Sequence, residues 1–277
     1  MLKNLKKNLA VGFKSNKLAI VGAAIILIFT VCAILAPLYP VDPNAISASD
    51  MLKMPSAAHP FGTDNMGRDY LARCIYGGRT SLLIGFLAMI LSTVIGTLVG
   101  AVSGFLGGWA DVVLMRIVDA LMSLPTFLIM VVMNAYLSAG VRNVILIIGF
   151  LTWMSIARIV RGETLSLKER EYVVYSQVSG ENKLCIIFRH ILPNMMPTII
   201  VSATINAAQA ILMESALSFF GLGIVPPVAS WGSMLNSSQA YLTQAPYLTV
   251  FPGILILLTI ISFNYLGEAF RKIFEPR

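Results

Sequence analysis

An all-α fold, a polytopic bundle of membrane-crossing helices, is what this sequence predicts, and three observations predict it. Of 277 residues, 57% are hydrophobic and only 12% charged, about half the charged share of an average soluble domain. So little charge cannot clothe a soluble globule. The apolar residues gather in runs, and about 20 residues at ~1.5 Å each cross a hydrocarbon core ~30 Å thick. Lysine and arginine, in turn, are crowded into alternate connecting segments.

The elements follow from the runs. Residues 18–38 and 80–106 contain no charged residue, and each is long enough to cross, the second with tilt or an extra turn outside. Residues 117–137 hold Asp119 near one end and Pro125 inside, which predicts a kinked span lying against protein or a cavity. The uncharged stretch 143–157 becomes a fourth span, 143–160, once Arg158 extends its guanidinium to the interface. Residues 191–213 form a weakly hydrophobic fifth span and 247–267 a sixth, six in all. Between those last two, 214–246 is broken by Gly221, Gly223, Pro226, Pro227 and Gly232 and reads as a loop partly dipping into the membrane. One domain, 18–277, is expected behind a tail, 1–17, with loops 39–79 and 214–246 on one side and the loop 161–190 on the other.

Basic residues favour the cytoplasmic side of short loops. Fifteen lie in 1–17, at Arg116, in 158–189 and in the C-terminal tail, against five, Lys53, Arg68, Arg73, Arg79 and Arg142, in the alternate segments. Both termini are therefore expected in the cytoplasm. The net charge of +7 is this bias, and calls for no nucleic acid. The first run is too long for a signal-peptide core and lacks a small-residue cleavage site, so it is expected to remain as a span. Cys32, Cys74 and Cys185 are scattered and read as small apolar side chains.

Enzyme chemistry finds little support. There is no phosphate-binding G-x-x-x-x-G-K-[ST], so ATP is not expected on this chain. The two histidines, His59 and His190, fall on opposite sides of the membrane and cannot share a metal. A nucleophile with its base is not brought together in the spans. A carrier driven by an ion gradient would place ionisable groups near the midplane, whereas Asp119 and Glu214 fall towards span ends.

Three patterns bear on function. Gly96, Gly100, Gly104 and Gly108 recur every four residues, a helix face fit for close packing within the subunit or against another. Ser202, Asn206 and Gln209 share a face of the fifth span, as a water-filled pathway or as interhelical hydrogen bonds would require. The charged loop 161–190 is expected to hold an apolar face made by Tyr172, Val173, Tyr175, Ser176 and Val178 before Gly180, then a second helical stretch, 184–188. Two short amphipathic helices joined at a glycine suit either a protein groove or the membrane surface.

That loop and its neighbours resemble the membrane subunits of binding-protein-dependent ABC importers, specifically the second permease of the dipeptide, oligopeptide and nickel group. The resemblance covers nearly the whole chain. It is carried by His59-Pro-Phe-Gly-Thr-Asp-Asn-Met-Gly-Arg-Asp69, by Ala157-Arg-Ile-Val-Arg-Gly162 and by His190-Ile-Leu-Pro-Asn194. Leu217-Ser-Phe-Phe-Gly-Leu-Gly223 with Pro226-Pro227, Ser230-Trp-Gly-Ser-Met-Leu235, Phe263-Asn264 and the ending Glu275-Pro-Arg277 add to it. The resemblance implies the type I importer architecture, and a loop that docks on an ATP-binding subunit through a Glu-Ala-Ala motif, a glycine and Leu-Pro. Here Gly180 and Leu192-Pro193 match, while the Glu-Ala-Ala positions read Val174-Tyr175-Ser176, leaving Glu171 one turn earlier as the candidate acid. Implied as well are a related permease, two ATP-binding subunits or domains carrying ATP and Mg, and an extracytoplasmic solute-binding protein. The cargo expected is a di- or oligopeptide, with nickel or metal chelates or another small solute as the alternative.

Overall fold

The structure is a computed structural model that describes residues 17–274, so the basic tail and the Glu275–Arg277 ending lie outside the described residues. The chain runs through α1 (Lys17–Leu35), α2 (Tyr70–Leu106), α3 (Gly108–Met122), α4 (Thr126–Tyr136), α5 (Val141–Lys168), α6 (Glu171–Val178), α7 (Lys183–Ile186), α8 (Leu192–Phe219), α9 (Trp231–Ser238) and α10 (Tyr247–Phe274). Among the described residues five helical stretches are long and apolar enough to cross a membrane, and α3 with α4 makes a sixth crossing if the bent pair is one span.

The central element is α2. Asp69 caps it, its Oδ1 accepting from the Ala72 amide at 2.8 Å. Its 37 residues measure about 55 Å at 1.5 Å each, far more than the bilayer core. Residues 70–79, assigned above to a loop, are therefore its first turns, and they project beyond the apolar run. The helix stops at Gly107 and Gly108, both at positive φ (64° and 53°), where a side chain would be strained. This removes Gly108 from the glycine ladder, because it opens α3 instead. The other three rungs face α5. A Cβ at Gly96 would stand 2.6 Å from the Trp153 carbonyl, one at Gly100 2.4 Å from that of Ala157, and one at Gly104 2.8 Å from the Thr164 Cβ. Backbone meets backbone along this seam, the most extensive helix pairing among the described residues.

The expected kinked third span is two helices meeting at 83° across Ser123-Leu124-Pro125. Pro125 supplies no N–H and the residue before it is pushed from helical angles, so the helix breaks there. The fourth span continues to Lys168, taking eight residues from the loop. Arg158 reaches Asp119 on α3, not only an interface. In 214–246, α8 persists to Phe219 and α9 forms a further helix, opened by a Ser230–Ser233 capping box. Three residues of α1 are buried, Ala19, Gly22 and Ala33, while Leu27, Val31 and Ile34 are exposed, as a lipid-facing helix requires.

Apolar side chains gather at different levels of the bundle. One cluster joins Phe105, Ile156, Val160, Val173, Ile187 and Met195, so that α6 and the stretch after it are seated on α2, α5 and α8. Another, around Ile84, Ile147, Ile148, Met130 and Leu217, binds α4 to α2, α5 and α8. A third packs Tyr70, Trp231, Met234 and Leu248 beneath the His59–Asp69 segment. In that segment the Asp64 carboxylate accepts from the Met66 and Arg68 amides and from the Arg68 Nε at 2.6 Å. His59 Nδ1 lies 3.0 Å from Asp69, and Phe61 stacks on Phe251 with centroids 4.0 Å apart.

Candidate functional site

A half-open cavity of about 910 Å³ lies along α5 and α8, with the α3–α4 break at its wall. Ser202, Asn206 and Gln209 all line it. They do so differently. Gln209 is exposed, whereas Asn206 is 7% exposed and also ties helices together. Its Nδ2 donates to Ser92 Oγ on α2 at 3.0 Å and to the Thr152 carbonyl on α5 at 3.4 Å, while its Oδ1 has no partner among the described residues. Pathway and interhelical glue thus coincide at Asn206. The lining is otherwise neutral, with Glu163 and Arg271 its charged members.

The lever formed by loop 161–190 begins at Glu171, exposed in the first turn of α6, where a carboxylate suits the helix N-terminus. Val173 and Ser176 turn inwards, 0% and 8% exposed, and the Ser176 hydroxyl donates to the Tyr172 carbonyl. This corrects the face expected above. The outward stripe is Tyr172, Tyr175 and Val178, three residues apart, with Tyr175 75% and Val178 83% exposed. Val174, where the resemblance noted in the sequence would place an acid, is exposed too.

Gly180 ends α6 in a Schellman turn: the Glu181 amide donates to the Ser176 carbonyl and the Gly180 amide to that of Gln177, both at 3.1 Å. Its φ is +79° and a Cβ there would meet nothing within 4 Å. Backbone angle, not close approach, requires glycine. The second stretch of the loop, α7, does not stand apart from the span that follows. From Lys183 it passes through a π turn at Ile187–Ile191 directly into α8. Leu192-Pro193 begins α8, and the π turn lies where Pro193 can offer no N–H.

Two acidic residues stand apart from the sequence reading, which leaves Glu181 unread and puts Glu214 towards a span end, whereas the helix runs on past it to Phe219 and buries it. Glu181 Oε2 lies 3.0 Å from His190 Nε2, and Glu181 Oε1 accepts from Cys185 Sγ at 3.0 Å. The Cys185 hydrogen bond first, with that of His190 adding to it, holds the carboxyl below the usual carboxylate range against the opposing effect of burial. Cys185 is thus an exposed, hydrogen-bonded thiol and no apolar filler, unlike the buried Cys74. A carboxylate four residues before Cys185 and nine before His190 is the signal that was available. The other is Glu214, 0% exposed inside α8, flanked by the serines of Glu214-Ser-Ala-Leu-Ser218.

Comparison with known proteins fits this arrangement. Residues 92–277 match the family described as binding-protein-dependent transport system inner membrane component, and 11–55 match the N-terminal transmembrane domain of oligopeptide transport permease C. A protein of Brucella suis biovar 1 named as a peptide permease is 41% identical over 268 residues, 96% of this chain and 89% of that one. The oligopeptide transport system permease protein OppC of Bacillus subtilis is 38% identical over 99% of this chain and 90% of its own. A chain from inward-facing structures of the MetNI methionine ABC transporter shares the fold, with a TM-score of 0.60 at 18% identity over 73% of this chain and 97% of that one. A multi-span bundle with a cavity along α8, matched over two thirds of its length by one family and over nearly all of it by that family's peptide permeases, belongs to the inner-membrane components of binding-protein-dependent transport systems.

Proposed function

We propose that this chain is a channel-forming subunit of an ATP-driven importer of di- or oligopeptides. The observation that carries the reading is the cavity: its amides and hydroxyls, at Thr152, Asn194, Ser202, Asn206 and Gln209, match the repeating donors and acceptors of a peptide backbone. Its near absence of fixed charge leaves side chains of either sign unhindered. The names of the relatives, a peptide permease and an oligopeptide permease protein, point the same way.

The working assembly pairs this chain with a related permease that closes the other half of the cavity. Two ATP-binding subunits, carrying ATP and Mg, sit under the α6 levers, and a solute-binding protein sits at the opposite end. Both termini and the lever are cytoplasmic, and His59–Asp69 and α9 face outwards. Closure of the ATP-binding pair displaces the levers, and the cavity alternates between the two sides. Hydrolysis belongs to the partners, so this chain is not itself an enzyme. Reconstituting the complex in sealed vesicles with a ligand-loaded binding protein tests this. Uptake of labelled tri-alanine that needs internal-facing ATP and survives an uncoupler is expected. Uptake that needs no ATP, or uptake of nickel with none of the peptide, overturns it.

A further inference from the structure

Glu214 is a fully buried carboxyl that the transport scheme above does not use. Its surroundings are directional. Ser81 Oγ on α2 donates to Oε2 at 2.9 Å and Ser218 Oγ donates to Oε1 at 2.8 Å. A serine hydroxyl has one hydrogen, so each oxygen is left to accept. Ser218 Oγ accepts from the Ile224 amide at 3.0 Å, and Ser81 Oγ from the Trp231 amide at 3.2 Å. Ile224 and Trp231 are the two ends of the segment whose tip, Val225-Pro-Pro-Val228, is exposed. One carboxyl therefore fixes both stems of one loop.

The packing around it leaves no slack. A Cβ at Gly223 would stand 2.2 Å from Ser218 Oγ, one at Gly232 2.6 Å from the Ser215 backbone, and one at Gly78 2.7 Å from the Trp231 ring. The Trp231 indole donates to the Cys74 carbonyl at 2.9 Å. On the same helix, Gln209 and Met213 line the cavity. A carboxyl buried in a helix at this depth is costly to keep unless every oxygen is satisfied, and here its two acceptors are spent on the loop.

We propose that Glu214 is a positioning residue that couples the 224–231 loop to the cavity-lining helix α8, so that seating of the solute-binding protein is felt at the pathway. The inference rests on the importer reading. Glutamine at 214 keeps one acceptor but turns the other into a donor, which leaves one serine hydroxyl, and the backbone amide behind it, without its place.

The test uses the assembled complex in lipid vesicles and measures ATPase activity against the concentration of binding protein loaded with tri-alanine. Glu214→Gln is expected to raise the half-saturating concentration about tenfold with the maximal rate preserved, the size of one buried hydrogen bond. Ser81→Ala is expected to shift it in the same direction, and the double variant by less than the two single shifts together. An assembled Glu214→Gln complex with unchanged half-saturation, or shifts that add, overturns the proposal. Should Glu214→Gln not assemble, Ser81→Ala decides, an unchanged half-saturation being fatal. Wild-type complex that no binding protein stimulates overturns the importer reading itself, and is told apart by that control.

Discussion

At the scale of the residue, glycines that look alike in sequence do different work. Gly180 holds φ +79° with open space where a side chain would go. Gly180→Ala is expected to cost about 1 kcal/mol in the turn, with transport largely kept. Gly180→Trp is expected to leave the protein inserted but to project an indole where the ATP-binding partner is proposed to seat, and ligand-stimulated ATPase activity is expected to vanish. Normal stimulation in that variant would refute the role. Gly100 is the opposite case, since its Cβ would meet the Ala157 carbonyl at 2.4 Å and the Val160 Cβ at 2.8 Å. Backbone cannot yield as a side-chain tip can, so Gly100→Leu is expected to cost at least the ~1–3 kcal/mol of an overpacked core. Its melting temperature in detergent should fall well below that of Gly162→Leu on α5, whose side chain enters open space at helical backbone angles. Equal melting would show that the α2–α5 seam is loose.

At the scale of the element, the bent pair shows how charge places a helix that hydrophobicity alone would leave free. Arg161 on α5 grips Asp111 on α3 with two bonds, at 2.5 and 2.6 Å, and Arg158 reaches Asp119 one helix stretch further along. Beyond the break, α4 is held by apolar contacts and by Asn134, which donates to the Leu222 carbonyl. Asp111→Asn removes the charge-assisted pair, and hydrogen exchange in α3 is expected to quicken while α4 stays protected. Exchange rising equally in both would mean that the break is no boundary. This element was half legible: Pro125 and Asp119 gave the kink and the protein-facing side, but an 83° turn depends on partners distant in sequence. The apolar spans were legible because membrane thickness dictates their length. Helix ends were not, since projecting turns such as 70–79 and 161–168 are polar and lie outside the rule. In the candidate site the stripe at 202, 206 and 209 followed from helical period, whereas Ser176 was misplaced because a short helix of mixed polarity does not announce which face is covered. Glu214 was hidden because its serine partners come from α2 as well as from its own helix.

At the scale of the whole molecule, the lever and the 224–231 loop are joined through the same helices. Val173, Ile186, Ile187 and Ile191 share a core with Phe105 of α2, Val160 of α5 and Met195 of α8, and packed cores transmit displacement because they are not compressible. α8 then carries Ser202, Asn206 and Gln209 past the cavity to Glu214 and the turn at Gly221. In the proposed scheme, a pull on the lever would be delivered to the cavity wall through this shared packing. The proposed orientation gives this chain of contacts a direction, and it can be tested at both ends. Reporter fusions after Ser138 and after Tyr241 are both expected on the outer side, and either one reporting the cytoplasm would break the charge-based assignment. On the inner side, a cysteine replacing Tyr175, which is 75% exposed, is expected to cross-link to the ATP-binding partner. A cysteine replacing Ser176, 8% exposed and facing the core, is not, although the two are neighbours in sequence. Equal cross-linking at both positions would mean that the lever unfolds from its seat on docking, and cross-linking of position 175 to the solute-binding protein would turn the molecule upside down.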